Sequence, residues 1–293
     1  MSVGAARMRP DPGLSFFVSD LHGCMERYEK LFSCTQDELP AALFIGGDLL
    51  PAVESAAPGN GFLRSFLEPG IRRLRRRRGL KGLRVFLIPG NDDPRAHENA
   101  FLQAENRGVW EYVHDRCVNW GPWRIYGYAF VPPTPFRLKD WERYDVSRFV
   151  DPGCTPPSEG VLTCPVDPSE LEFFTIQAGL SRLTRDDPME NAICLFHSPP
   201  YQTGLDRAAL DGKEFDHVPL DVHVGSMAIR RFIEARQPLL TLHGHVHESA
   251  RLTGVWKESL GRTVMLSAAH DGKELCLVRF NPACPGNATR ELI

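Results

Sequence analysis

Seven residues of this 293-residue chain carry side chains that bind divalent metals or move protons, and each stands just beyond an apolar run. Asp20-Leu21-His22 follows the run 14–18, Gly46-Gly47-Asp48 follows 42–45, and Gly90-Asn91-Asp92 follows 83–88. His197 closes the run 192–196, and His243-Gly244-His245-Val246-His247 follows 239–242. Neutral imidazoles, carboxylates and an amide oxygen suit borderline or hard ions such as manganese, iron or zinc, whereas thiolates mark softer sites. Asp20, His22, Asp48, Asn91, His197, His245 and His247 are too many donors for one tetrahedral ion. They suit two ions that share a carboxylate. Two ions about 3.5–4 Å apart form the clamp used for in-line phosphoryl transfer, where a bridging hydroxide is activated.

Each piece alone has an ordinary explanation. Asp-x-His reads as a cap and a surface histidine, Gly-Asp after a strand as a turn, and a lone His197 as a satisfied core histidine. His245 and His247 say more, because alternate residues of an extended segment point the same way. The order of all five pieces, each at the end of an apolar run, makes coincidence a poor account.

The elements that must position these residues follow from the same pattern. Runs 14–18, 42–45 and 83–88 read as buried strands, with helices expected over 24–32 and 62–78 between them. This β-α-β-α-β opening predicts a parallel sheet, whose ligands bind at the carboxyl ends of the strands. Further strands are expected over 110–119, 123–130, 192–196, 239–242, 263–266 and 275–280, with helices over 171–183 and 226–236. Residues 131–168 are dense in proline and glycine and read as an ordered excursion or lid. Its Phe136, Trp141, Tyr144 and Phe149 should be buried. The tail from Asn281 should fray.

Composition narrows the class. Hydrophobic residues at 42% and charged residues at 24% are ordinary globular values. A net charge of -3 gives no bulk pull toward nucleic acid or anionic membrane. No run approaches the length of a membrane helix, and the N-terminal stretch 1–19 does not read as a signal peptide. Eight scattered cysteines without a C-x-x-C pair suggest reduced thiols and a cytoplasmic protein. The chain reads as one domain over 1–293. Six arginines within 72–78 suggest a solvated helix face more than a nucleic-acid footprint.

Taken as an ordered set, Asp20-x-His22, Gly47-Asp48, Gly90-Asn91, His197 and Gly244-His245-x-His247 resemble the calcineurin-like metallophosphoesterase superfamily. His197-Ser-Pro-Pro-Tyr201 and the phrase from Leu242 to Glu248 are similar to its small prokaryotic Icc-like phosphoesterases. The resemblance implies a four-layer α/β/β/α sandwich of two mixed sheets flanked by helices. It implies that Asp20, His22 and His247 bind one metal, that Asn91, His197 and His245 bind another, and that Asp48 bridges them. Manganese is the expected cofactor, with iron or zinc as alternatives.

The family's third motif usually reads Gly-Asn-His-Asp/Glu, its histidine placed as general acid, and here Asp92 replaces that histidine. The expected substrate is a small phosphate ester, a diester before a monoester. The alternatives are a nuclease of the same superfamily and a non-catalytic protein-binding scaffold, as in the retromer subunit of this fold. His217, His223, Tyr201, Arg137 and Lys139 are further candidates for the substrate pocket. His243 should point away from His245, and His97, His114 and His270 are expected to be structural or surface residues.

Overall fold

The computed structural model describes residues 13–51 and 61–293. The expectation for the N-terminal stretch therefore falls mostly outside the described residues. In chain order the strands begin with β1 (Ser15–Val18), β2 (Ala42–Gly46), β3 (Arg84–Ile88), β4 (Glu111–Tyr112), β5 (Arg116–Trp120), β6 (Trp123–Tyr128) and β7 (Ala192–Phe196). They continue with β8 (Glu214–Phe215), β9 (Val218–Pro219), β10 (Leu240–His243), β11 (Lys257–Leu260), β12 (Thr263–Ser267), β13 (Cys276–Phe280) and β14 (Thr289–Leu292). The helices are α1 (Met25–Glu38), α2 (Glu68–Arg76), α3 (Glu98–Asn106), α4 (Pro168–Phe173), α5 (Ile176–Thr184), α6 (Met227–Arg236) and α7 (Ser249–Thr253).

Two mixed six-stranded sheets face each other. The first has the order β14-β13-β1-β2-β3-β4 and the second β11-β12-β10-β7-β6-β5. In the first, β1, β2, β3 and β4 run parallel, and in the second β6, β7, β10 and β12 do. Strands buried on both faces need apolar residues at every position, which is why these runs show no alternation. Alternate residues nevertheless divide between two cores. Phe17, Phe44 and Phe86 lie in register across β1, β2 and β3 and join the core shared with the second sheet. Phe16, Val18, Leu43 and Ile45 face the other way, against Tyr28 and Leu31 of α1 and Leu74 of α2. Leu180 of α5 and Ile229 and Phe232 of α6 cover the second sheet. The result is helices, sheet, sheet, helices, as the family resemblance implies.

Several expectations need correction. The run 110–119 is not one strand: β4 belongs to the first sheet and β5 to the second. The chain crosses between them at His114 and Asp115, where Asp115 takes a left-handed turn (φ 52). The helix expected over 171–183 is two, because Thr175 takes extended backbone and its Oγ1 accepts from Ala178 N to cap α5. The tail does not fray at all: β14 pairs antiparallel with β13 from Thr289 to Leu292. In the 131–168 excursion Trp141 and Tyr144 are buried, but Phe136 and Phe149 are exposed.

Candidate metal centre

Five parallel strands deliver the seven residues to one edge. Asp20 and His22 follow β1, Asp48 follows β2, Asn91 follows β3, His197 follows β7, and His245 and His247 follow β10. The turns that hold them are bound to each other. Asp20 N donates to Gly47 O (3.0 Å), and His22 N donates to Asp48 O (2.7 Å). Asp20, His22, Asp48 and His245 all adopt positive φ, at 57°, 45°, 51° and 73°. Left-handed backbone at a residue other than glycine costs on the order of 1–3 kcal/mol and persists where function or packing over-determines it. Gly90 shows how tight the edge is. A Cβ there would run into Asp48 Oδ1 and lie 2.7 Å from His197 Nε2.

One ligand atom each from Asp20, His22, Asp48 and His247 lie within 4.8 Å of one another. His22 Nε2 faces His247 Nε2 at 3.2 Å, and His247 Nε2 is 3.3 Å from Asp20 Oδ1. Asp48 links this group to a second one, its Oδ2 lying 3.4 Å from His197 Nε2. His197 Nε2 in turn lies 3.0 Å from Asn91 Oδ1, and the His197 and His245 rings are 5.2 Å apart. All seven residues expected from the sequence thus meet around Asp48. The donors are carboxylate, imidazole and amide groups converging on one point, which fits divalent ions.

The cluster's electrostatics agree with a cation site. Burial works against ionising Asp20 and Asp48, yet the neighbouring histidines hold both carboxyls below the usual range. Burial likewise opposes charging His197, but Asp48 and Asp20 push it up to about 10. His247 is raised against its own burial to about 9, chiefly by Asp20. His245 goes the other way, lowered to about 3 by burial and by His197. The cluster balances its carboxylates with protons that a divalent ion must displace.

The structure also sorts the remaining candidates. Asp92 is half-exposed, and its Oδ2 is 3.7 Å from His22 Nδ1. Burial and the Asp48 charge raise its pKa. His243 points away from the cluster, its ring nitrogens bonding Ser198 O and Thr241 Oγ1. Tyr201 and His223 line the cavity that opens from the cluster; His217 and Arg137 do not. Lys139 cannot contact substrate, because it is fully buried with Nζ 2.5 Å from Glu142 Oε2. None of the arginines 72–78 lines this cavity. Arg72 pairs with Glu68, and Arg75 Nε donates to Leu83 O. His97 and His114 are buried, and His270 lies 3.0 Å from Glu274.

Two residues that sequence reasoning missed hold the site together. Asp93 is fully buried and accepts from Leu49 N, Leu50 N and Gly90 N at 2.8–3.0 Å, tying the Asp48 and Asn91 turns to each other. Its place in the third motif was the available signal. Asp206, also fully buried, accepts from Gln202 N, Thr203 N and His223 Nδ1. No spacing announces it.

The model for the calcineurin-like phosphoesterase family matches residues 16–249, and the chain belongs to that family. This makes it a metal-dependent phosphoesterase by class. The protein TT1561 of Thermus thermophilus is 18% identical, with a TM-score of 0.53 over 95% of this chain and 98% of that one. Another solved structure is 15% identical, with a TM-score of 0.59 over 96% and 98%. Both share the fold. No curated protein matches the chain. Among the described residues no helix is long and apolar enough to cross a membrane.

Proposed function

We propose that the chain is a cytoplasmic, dinuclear metal-dependent phosphodiesterase that works with manganese. Asp20, His22 and His247 would hold one ion, Asn91, His197 and His245 would hold the other, and Asp48 would serve both. The observation that carries this reading is the position of Asp48, which belongs to the four-donor cluster and also reaches His197. Divalent ions bound there supply positive charge that polarises a phosphoryl oxygen and eases deprotonation of water.

The protein's own groups set the rest. Asp93 fixes both turns through three backbone donors, so the ligands need little reorganisation. Asp92 faces the cavity where a histidine would donate a proton to the leaving group. With divalent ions held by the neighbouring residues, its carboxyl would be held ionised, because nearby positive charge favours the charged form. An ionised Asp92 gives no proton and repels a dianionic monoester more than a monoanionic diester. Among the described residues no lysine or arginine lines the cavity to offset that repulsion.

The test compares bis(p-nitrophenyl) phosphate with p-nitrophenyl phosphate on manganese-loaded protein. A diester kcat/KM at least tenfold above the monoester value is expected. A monoester preference would overturn the diesterase reading.

A further inference from the structure

From the metal cluster opens a cavity of about 400 Å³, within the size range of small-molecule sites. Asp48, Asn91, Asp92, His245 and His247 form one end. The remainder is built from the 131–168 excursion and the loops around Tyr201 and Leu220. Pro132, Pro133, Pro135 and Pro152 stiffen its wall, since each fixes φ and gives up a donor. Phe136 and Phe149 lie on that wall with 59% and 68% of their surface exposed. Leu210, Leu220 and Val224 face the cavity as well. Apolar side chains held open at the mouth of a catalytic pocket mark a surface that a ligand covers.

The charges are as telling as the apolar wall. Of the excursion's own cations, Lys139 pairs with Glu142, Arg143 with Glu170 and Arg148 with Glu172, and Arg137 does not line the cavity. The ionisable side chains left facing the cavity beyond the cluster are mainly acidic. Asp145 caps α6 through Ser226 Oγ and Met227 N, and Glu248 accepts from Ala209 N. Asp221 accepts from the Tyr201 hydroxyl (2.6 Å) and from His223 N. Asp151 has no ion-pair partner among the described residues. Among the described residues, a second phosphate or a carboxylate in this space would meet mainly carboxylates and hydrocarbon, with no lysine or arginine on the wall to receive it.

Resting on the phosphodiesterase reading, we infer that the substrate carries a single phosphoryl group, placed at the metal cluster, and an apolar arm without a further anion, placed between Phe136, Phe149 and Leu220. Nucleoside polyphosphates, bisphosphates and nucleic acid are thereby selected against.

Three p-nitrophenyl diesters test this on the manganese-loaded enzyme, their second arm being methyl, 4-methylbenzyl or 4-carboxybenzyl. The 4-methylbenzyl ester should exceed both others in kcat/KM at least tenfold. Asp151→Asn should narrow the gap to the carboxybenzyl ester several-fold. Phe136→Ala with Phe149→Ala should narrow the gap to the methyl ester. Calorimetric binding of the corresponding methylphosphonate monoesters should follow the same order without turnover. Equal efficiency and equal affinity for all three arms would overturn the inference and leave the phosphodiesterase reading standing. Hydrolysis of none of the three would overturn both.

Discussion

His114 should make the protein acid-labile. Its ring lies where the chain crosses between sheets, 4.9 Å from the Trp141 ring and 5.1 Å from that of Phe130. Its Nδ1 accepts from Ala129 N at 3.0 Å, which requires the neutral imidazole. Burial, reinforced by Arg95, Arg143 and Arg116, lowers its pKa from 6.5 to about 3. The unfolded chain therefore takes up a proton below pH 6.5 that the folded chain refuses until about pH 3. Stability is lost as pH falls through that window. Each decade of proton affinity is worth about 1.4 kcal/mol, so the loss between pH 7.5 and pH 4 should be about 3 kcal/mol. The comparison is urea unfolding of wild type and His114→Gln at pH 7.5, 6, 5 and 4. Glutamine keeps an acceptor for Ala129 N but does not titrate. The wild-type curve should fall more steeply, by most of that amount. Parallel curves within about 0.5 kcal/mol would refute the reasoning, because this is the ordinary scatter of a surface substitution.

Three further outcomes follow from the site. Asp48→Ala should abolish hydrolysis and, in the metal-free protein, lower the unfolding free energy by about 3–5 kcal/mol in urea titrations, since it removes the acceptor for Asp92 N and leaves the buried His197 without its carboxylate partner. Manganese affinity, measured by calorimetry in buffers of different ionisation enthalpy, should rise at least tenfold from pH 7 to pH 9. Binding should release protons, because His197 and His247 titrate near 10 and 9 and must lose theirs to bind metal. Asp92→Asn and Asp92→His should both lower the diester-to-monoester ratio of kcat/KM about fivefold or more. Repulsion of about 1 kcal/mol within a few ångströms sets that scale, and histidine should in addition improve turnover of alkyl esters.

The site was legible in the sequence because of how parallel sheets are built. Central strands such as β2 and β7 are buried at every position, so their runs are unbroken, and whatever follows them lies at the carboxyl edge. Elements whose stabilising partners are distant or polar were not legible. β14 reads Thr-Arg-Glu-Leu and is mostly exposed, so only its pairing with β13 makes it a strand. The β8–β9 hairpin is exposed throughout and shows no alternation. The single run 110–119 hides a crossing between the sheets, where Asp115 N donates to Gly127 O of the second sheet. Asp206 is one aspartate among many until Gln202 N, Thr203 N and His223 converge on it.

The central claim, that metal held around Asp48 makes this chain a phosphoesterase, is most directly tested by titrating manganese into metal-stripped protein while following bis(p-nitrophenyl) phosphate hydrolysis. Turnover should be absent without metal, rise with each addition, and level off at two equivalents per chain. Turnover without metal, or none at any manganese concentration, would contradict the account.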